Sequence, residues 1–331
     1  MEALLAAELP RGEGWQYEPK WDGFRCLAAR HGDDVTLTSK SGKPLARYFP
    51  EVVAMLQRLE EREFLLDGEL IIPVGDVLAF DALQLRLHPA ESRIRKLSQS
   101  TPAEFMLFDL LASAGNDLTG APLVERRRSL ESFYVHNQAA GLRLSPMTHD
   151  CDVALAWLHR SGGALDGVIA KRLDQDYRSG ERAMVKVKQQ RSADCVVGGF
   201  RYAEKKLEVG SLLLGLYDEA GLLHHVGFTS ALKAEDRPEL TKRLEPLIEA
   251  PGFTGDAPGG PSRWANARSA EWQPLKSELV VEVRYDQVTG HRFRHGTGLL
   301  RWRPDKSPRQ CTLDQLAPEL RPSELAQLFA V

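Results

Sequence analysis

Lys20, Asp22, Gly23 and Arg25 stand within six positions of one another, in the run Glu18-Pro-Lys-Trp-Asp-Gly-Phe-Arg25. A lysine amine is a nucleophile only when unprotonated, and at its ordinary pKa it is almost wholly charged near neutrality. A desolvated site or neighbouring cations lower that pKa. Gly23 lets backbone come close to a bulky substrate, and Arg25 can place forked donors on a ribose or a phosphate. The same residues also suit a plain surface turn, since Asp-Gly is a common hairpin signal.

Three further stretches carry charge where charge is expensive. Lys186 and Lys188 fall on one face of the run Arg182-Ala-Met-Val-Lys-Val-Lys188, because side chains of a strand alternate. Like charges side by side repel, and a triphosphate would neutralise them. Glu69 sits inside the apolar run Phe64-Leu-Leu-Asp-Gly-Glu-Leu-Ile-Ile72. A carboxylate there is costly unless paired, hydrogen-bonded or bound to a cation. The alternative is an edge strand with Glu69 facing water. Asp166 opens a second apolar run, Asp166-Gly-Val-Ile-Ala-Lys171, where a plain turn into a strand is the competing account.

The elements that must position these residues are legible as periodicities. Residues 24–30 and 34–39 alternate around His-Gly-Asp-Asp and predict a hairpin directly after Lys20. Strands are predicted over 64–72 and 105–111, and helices over 51–59, 81–87, 91–97, 122–134 and 152–161. Arg126, Arg127 and Arg128 read as the solvated face of their helix. Beyond Gln190 the texture changes to short β-like runs at 194–202, 209–217, 222–229, 278–285 and 297–303. One helix is predicted over 235–248 and a long loop over 251–274. Short strands with one helix suit a small closed barrel of the OB type. The boundary is expected near 188–193, with one domain over 1–190 and another over 191–331.

Composition bounds the function. A chain of 331 residues can bury two domain cores. It has no apolar run long enough to span a membrane, and its acidic start does not read as a signal peptide. Cys26, Cys151, Cys195 and Cys311 are far apart and form no Cys-x-x-Cys, which argues against structural zinc or a disulfide frame. A cytoplasmic protein is expected, with no membrane partner, as a monomer. His291 and His295 are read as surface or DNA-facing, with no metal role. The net charge of −3 excludes a uniformly basic nucleic-acid binder. Yet between Arg284 and Arg309 seven basic residues face only Asp286 and Asp305, the footprint of a local phosphate-binding surface.

Taken in order, the chain resembles the covalent nucleotidyltransferases: ATP-dependent DNA ligases, RNA ligases and capping enzymes. The matching runs are Lys20-x-Asp-Gly-x-Arg25, Ser39-Lys-Ser-Gly42, Asp67-Gly-Glu-Leu70, Phe108-Asp-Leu-Leu111, Asp166-Gly-Val-Ile-Ala-Lys171, Lys186-Val-Lys188 and Arg303-Pro-Asp-Lys306. The surrounding wording is similar to bacterial DNA ligases of the ligase C and ligase D kind. Two departures stand out. Asp166 replaces the glutamate usual in the superfamily, and Lys40 stands where arginine is common.

The resemblance implies an α+β fold: a nucleotidyltransferase (adenylation) domain of antiparallel sheets with flanking helices, then an OB-fold β-barrel. It implies that Lys20 attacks ATP to form a lysyl-adenylate, that AMP passes to the 5′-phosphate of nicked double-stranded DNA, and that the 3′-hydroxyl seals the strand. Glu18 would lie at the adenine edge, with Phe108 and Val168 on its two faces. Arg25, Lys40 and Arg182 would contact ribose or phosphates, and Lys186 and Lys188 the α-phosphate. Glu69 would touch ribose or, with Asp166, hold Mg²⁺ or Mn²⁺. Arg303, Asp305 and Lys306 would swing in to orient pyrophosphate. A minimal, nucleoid-associated ligase is expected, free-standing or cut from a larger protein. It would bind nicks weakly alone and be recruited by DNA-repair or end-joining proteins. The rival readings are an RNA ligase, a GTP-using capping-type enzyme, and a non-catalytic OB-type nucleic-acid-binding module.

Overall fold

The computed structural model describes residues 1–74, 77–159, 165–189, 191–204, 206–259, 271–286, 288–293 and 296–316. Arg294, His295 and most of the second half of the expected 251–274 loop lie outside the described residues. The chain divides into two compact units between Gln189 and Gln190.

Along the first unit run β1 (Ala3–Ala6), β2 (Trp15–Trp21), β3 (Phe24–His31), β4 (Asp34–Ser39), β5 (Glu63–Ile71), β6 (Pro73–Val74) and β7 (Val77–Leu78). Then come β8 (Glu104–Ser113), β9 (Asn116–Asp117), β10 (Leu142–Leu144), β11 (Leu165–Arg172) and β12 (Met184–Val187). Its helices are α1 (Pro50–Gln57), α2 (Phe80–Arg86), α3 (Glu91–Ser100), α4 (Leu123–His136) and α5 (Cys151–His159). One sheet has the order β1-β12-β11-β2 and the other β10-β8-β5-β3-β4. Pairing is antiparallel except at two edges, where β1 runs parallel to β12 and β10 parallel to β8.

The hairpin after Lys20 is formed by β3 and β4, from Cys26 opposite Ser39 to His31 opposite Asp34. β5 lies between β3 and β8, so Glu69 is on a central strand and the edge-strand alternative is excluded. α1 begins at Pro50, whose fixed φ suits the first helical turn. It is tied to α2 by Arg86, fully buried, whose guanidinium chelates Glu51 at 2.5 and 2.7 Å.

The solvated reading of helix α4 fails for two of its three arginines. Arg126 and Arg127 are buried, and only Arg128 is exposed. Arg126 makes a bidentate pair with Asp109 at 2.9 and 3.0 Å. Arg127 donates to the Ser145 carbonyl at 2.9 Å and to Glu131 at 2.7 Å. A charge run conceals burial when each charge finds a partner on a neighbouring element.

The second unit contains β13 (Arg191–Ala203), β14 (Lys206–Tyr217), β15 (Leu223–Thr229), α6 (Arg237–Leu244), β16 (Gln273–Pro274), β17 (Val280–Tyr285), β18 (Val288–Thr289), β19 (Arg292–Phe293) and β20 (Gly298–Trp302). The main sheet has the order β15-β14-β13-β17-β20. Its two outer strands approach where the Thr297 N–H donates to the Phe228 carbonyl at 3.3 Å and the Thr229 hydroxyl to the Thr297 carbonyl at 2.8 Å. That curling suits an OB-type barrel. The core inside it includes Phe200, Leu212, Leu214, Val226 and Val281. The helix expected over 235–248 is shorter, flanked by 3₁₀ turns at Ala234–Asp236 and Glu245–Leu247. Among the described residues no helix is long and apolar enough to cross a membrane.

Candidate active site

Strand alternation assembles the site on one face of the first sheet. Glu18 pairs with Ile169, and Ile169 with Lys186, across β2, β11 and β12. Residues two positions away share that face, which adds Lys20, Lys171 and Met184. All six line a cavity of about 550 Å³, together with Arg25, Lys40, Glu69, Phe108 and Arg182 from elsewhere in the unit. That volume is in the range of small-molecule sites.

Lys20 Nζ donates to Asp166 Oδ2, and Lys188 Nζ lies 2.9 Å from Asp166 Oδ1. The carboxylate therefore gives one oxygen to each lysine. Its aim depends on an irregularity: the β11–β2 register shifts between Leu165 and Val168, and such a bulge redirects side chains. Gly167 in that bulge has φ of +125°, and a Cβ there would lie 2.1 Å from the Val187 carbonyl. Lys186 is pushed below its usual pKa by burial and then by Lys20 and Lys188.

The bulge also decides which residue faces the cavity. Val168 was expected against one face of the base. It is fully buried in the core with Tyr17, Trp157 and Val187, and its neighbour Ile169 lines the cavity. Both are apolar, so composition did not separate them; register did.

Phe108 presents its ring to the cavity, with Lys171 Nζ 4.9 Å from the centroid. Lys171 is also 2.8 Å from Glu18 Oε2, and Gln16 Nε2 donates to Glu18 Oε1 at 2.7 Å. An aromatic face, an aliphatic Ile169 and a buried carboxylate–ammonium pair can hold a flat heteroaromatic ring and read its polar edge. Lys40 and Arg182 are exposed at the rim, and Lys40 Nζ lies 3.3 Å from Glu2 Oε1.

Glu69 is opposite Arg25 on β3 and Met106 on β8. Burial pushes its carboxyl up to about 8, against the pull of Lys20 and Arg25. Two expectations from the lysine stretch change here. Arg25 directs its fork at buried Asp67, at 3.0 and 2.6 Å, and also donates to the Met1 carbonyl and, at 3.4 Å, to the Tyr177 hydroxyl. It therefore borders the cavity with most of its donors already engaged. Gly23 makes its close approach to β5 rather than to open space: a Cβ would lie 2.2 Å from the Leu70 carbonyl and 2.7 Å from Glu69 Cγ.

Arg303, Asp305 and Lys306 belong to the second unit and are brought together there. Arg303 Nη2 is 2.8 Å from Asp305 Oδ2, which holds the aspartate at about 2. Residues that sequence reasoning missed are Gln16, Asp67, Ile169, Lys171, Tyr177 and Met184. Alternation along β2 from Glu18 could have found Gln16, and Ile169 and Lys171 alternate with each other along β11, but only strand pairing brings β11 beside Glu18. Nothing local signals Tyr177, whose hydroxyl donates to Asp67 at 2.8 Å.

The ATP dependent DNA ligase domain family matches residues 5–188, and the ATP dependent DNA ligase C terminal region matches residues 205–306. DNA ligase C2 of Mycolicibacterium smegmatis is 45% identical over 320 residues, covering 92% of this chain and 90% of that protein. The multifunctional non-homologous end joining protein LigD of Mycobacterium bovis is 30% identical over 95% of this chain, but only 37% of LigD is covered. Among solved structures, a Lig E DNA ligase superposes with a TM-score of 0.54 at 16% identity, over 92% of this chain and all of that one, a likeness of fold.

Proposed function

The chain belongs to the ATP-dependent DNA ligases, and on that premise we propose that Lys20 is the nucleophile that forms the lysyl-adenylate. The observation that supports this reading is the shared Asp166 carboxylate, which holds Lys188 beside Lys20, the lysine that lines the cavity. The domain that binds ATP is the unit that runs to Gln189, and the OB-type domain is the unit that begins at Gln190.

In the first step the Lys20 amine, once deprotonated, attacks the α-phosphate, and pyrophosphate leaves. Lys186 and Lys188 meet the phosphate charge, so the three clustered ammonium groups become mutually tolerable when the nucleotide is bound. Phosphoryl transfer of this kind is mostly positioning and charge stabilisation. Phe108 and Ile169 take the faces of the adenine, and Glu18 with Lys171 takes its edge. Lys40 and Arg182 reach ribose or phosphates from the rim. In the later steps AMP passes to the 5′-phosphate of a nick in double-stranded DNA. The 3′-hydroxyl then displaces AMP.

Glu69 and Asp166 fit a divalent cation such as Mg²⁺. The Glu69 side chain is half-buried, desolvation raises its carboxyl, and among the described residues no hydrogen bond reaches it, so a cation would offset the cost of its charge. When bound, the ion screens phosphate charge. Among the described residues no three acidic, His or Cys groups converge on a metal position; phosphate oxygens and water would complete the shell.

The likeness to the end-joining protein supports a place in DNA repair, and recruitment to the nick by other repair factors is part of the same proposal. The test is incubation with α-labelled ATP and Mg²⁺, then a denaturing gel, beside Lys20→Ala and with GTP as competitor. A protein-bound label that survives alkali, is released by acid as a phosphoramidate is, and disappears in the variant is expected. No label on protein shown to be free of prior adenylate rejects the assignment of Lys20.

A further inference from the structure

Arg303 and Lys306 converge on Asp194. Arg303 Nη1 donates to Asp194 Oδ1 at 2.8 Å, and Lys306 Nζ lies 3.1 Å from Asp194 Oδ2. Here too one carboxylate gives one oxygen to each of two cations.

The platform beneath this cluster is built from three strands. Asp194 on β13 stands opposite Glu282 on β17, and Glu282 stands opposite Arg301 on β20. Two carboxylates directly opposite on neighbouring strands repel. Cations relieve the conflict: Arg301 Nε donates to Glu282 at 2.7 Å, and Arg303 Nη1 is 4.0 Å from the same carboxylate. The backbone of Asp194 is gripped as well. Gln315 Oε1 accepts from the Asp194 N–H at 3.0 Å, and Gln315 Nε2 donates to the Asp194 carbonyl at 3.1 Å. The Asp194 side chain is 12% exposed, whereas Asp305 is 64% exposed. Asp305 orients Arg303 from the outside, and Asp194 anchors both cations from below.

We infer that Asp194 is a positioning residue that sets the spacing and direction of Arg303 and Lys306 for the pyrophosphate end of ATP. This rests on the reading that Arg303 and Lys306 orient the leaving group. In that step a bond forms between Lys20 Nζ and the α-phosphorus. The bond from that phosphorus to the bridging oxygen breaks, and pyrophosphate leaves with the electron pair. The amine proton passes to solvent. Asp194 makes and breaks no bond. Without its charge the two cations repel and lose their common anchor.

Pyrophosphate departs only in the first step, and that gives the test its resolution. Single-turnover adenylylation is measured for Asp194→Asn, beside sealing of a nick that already carries AMP. A fall of about 10-fold or more in the first rate, with sealing within about 2-fold of wild type, is expected. A merely structural role would slow both steps together. Equal losses in both, or an unchanged first step, overturn the inference. Arg303→Ala and Lys306→Ala run alongside. Should they leave the first step intact, the pyrophosphate reading itself falls. Should they slow it while Asp194→Asn does not, only the role of Asp194 falls. If the Asn variant does not fold, Asp194→Glu carries the test, because it keeps the charge but moves it by one methylene. The same step-specific loss is then expected at about 3-fold, and equal losses in both steps, or an unchanged first step, overturn the proposal.

Discussion

Lys171 Nζ lies 2.8 Å from Glu18 Oε2, and the two side chains are only 5% and 3% exposed. The pair is local to the cavity that Phe108 faces, so its charges can read the edge of a base while its burial ties it to stability. Breaking one half of a buried pair costs about 3–5 kcal/mol, whereas replacing both halves by apolar groups is often near neutral. Lys171→Met is therefore expected to lower the urea-unfolding free energy by about that amount. Lys171→Met with Glu18→Leu should recover most of it without recovering adenylylation. A single-variant loss below about 1 kcal/mol would show that the pair is solvated in solution.

Val168 and Ile169 should separate stability from nucleotide binding. Val168 is fully buried, and Ile169 lines the cavity. Val168→Ala is expected to cost about 2 kcal/mol through lost burial and a residual void, with the KM for ATP little changed. Ile169→Ala should raise that KM by about 10-fold, the effect of losing roughly 1.4 kcal/mol of contact. The opposite pattern would return the base-facing role to Val168.

That exchange of neighbours marks where the sequence stops being legible. The hairpin Phe24–His31 with Asp34–Ser39, the central position of Glu69 in an apolar run and the pairing of Lys186 with Lys188 follow from period-two patterning. The phase of β11 does not, because the bulge between Leu165 and Val168 shifts it and both faces of the strand are apolar. Partners distant in sequence are also silent: Asp67 meets Tyr177, and Asp194 meets Arg303, only once the strands are paired. Arg126 looked solvated for the same reason. Its partner Asp109 lies on a different element.

Arg126 gives that correction a measurable form. Its guanidinium satisfies Asp109 in a bidentate pair and donates to the Ala121 and Gln175 carbonyls at 2.7 and 3.0 Å. Burial pushes the Asp109 carboxyl above its ordinary value, and Arg126 opposes that push. Arg126→Met should destabilise by about 3–5 kcal/mol at neutral pH. With its counter-ion gone, the folded-state pKa of Asp109 rises further. A raised carboxyl favours the folded state below its unfolded value and loses that contribution as pH rises through the folded value. The defect should thus shrink at about pH 5 and grow toward about pH 8. Arg128→Met, at an exposed position, is the control and should stay within about 0.5 kcal/mol of wild type.

His224 supplies a further pH dependence in the second unit, where the defect of the variant runs the opposite way with pH. Its Nε2 is 3.0 Å from Asp218 and its Nδ1 is 3.2 Å from Asp256. The Asp218 hydrogen bond is the main cause that raises His224 above its ordinary 6.5, and His224 in turn lowers Asp218 below 3.8. The raised histidine stabilises fully below 6.5 and loses that contribution as pH climbs through its folded value. The lowered aspartate stabilises above 3.8 and loses its share as pH falls through its folded value. The pair therefore works in a window between the depressed value of Asp218 and the raised value of His224. His224→Gln keeps hydrogen-bonding capacity but cannot take the charge. Its urea midpoint should fall below that of wild type at about pH 5.5 and converge with it by about pH 8.5. A difference that stays flat between those conditions would mean that His224 is neutral throughout, with a single ring N–H to donate and its other ring nitrogen an acceptor.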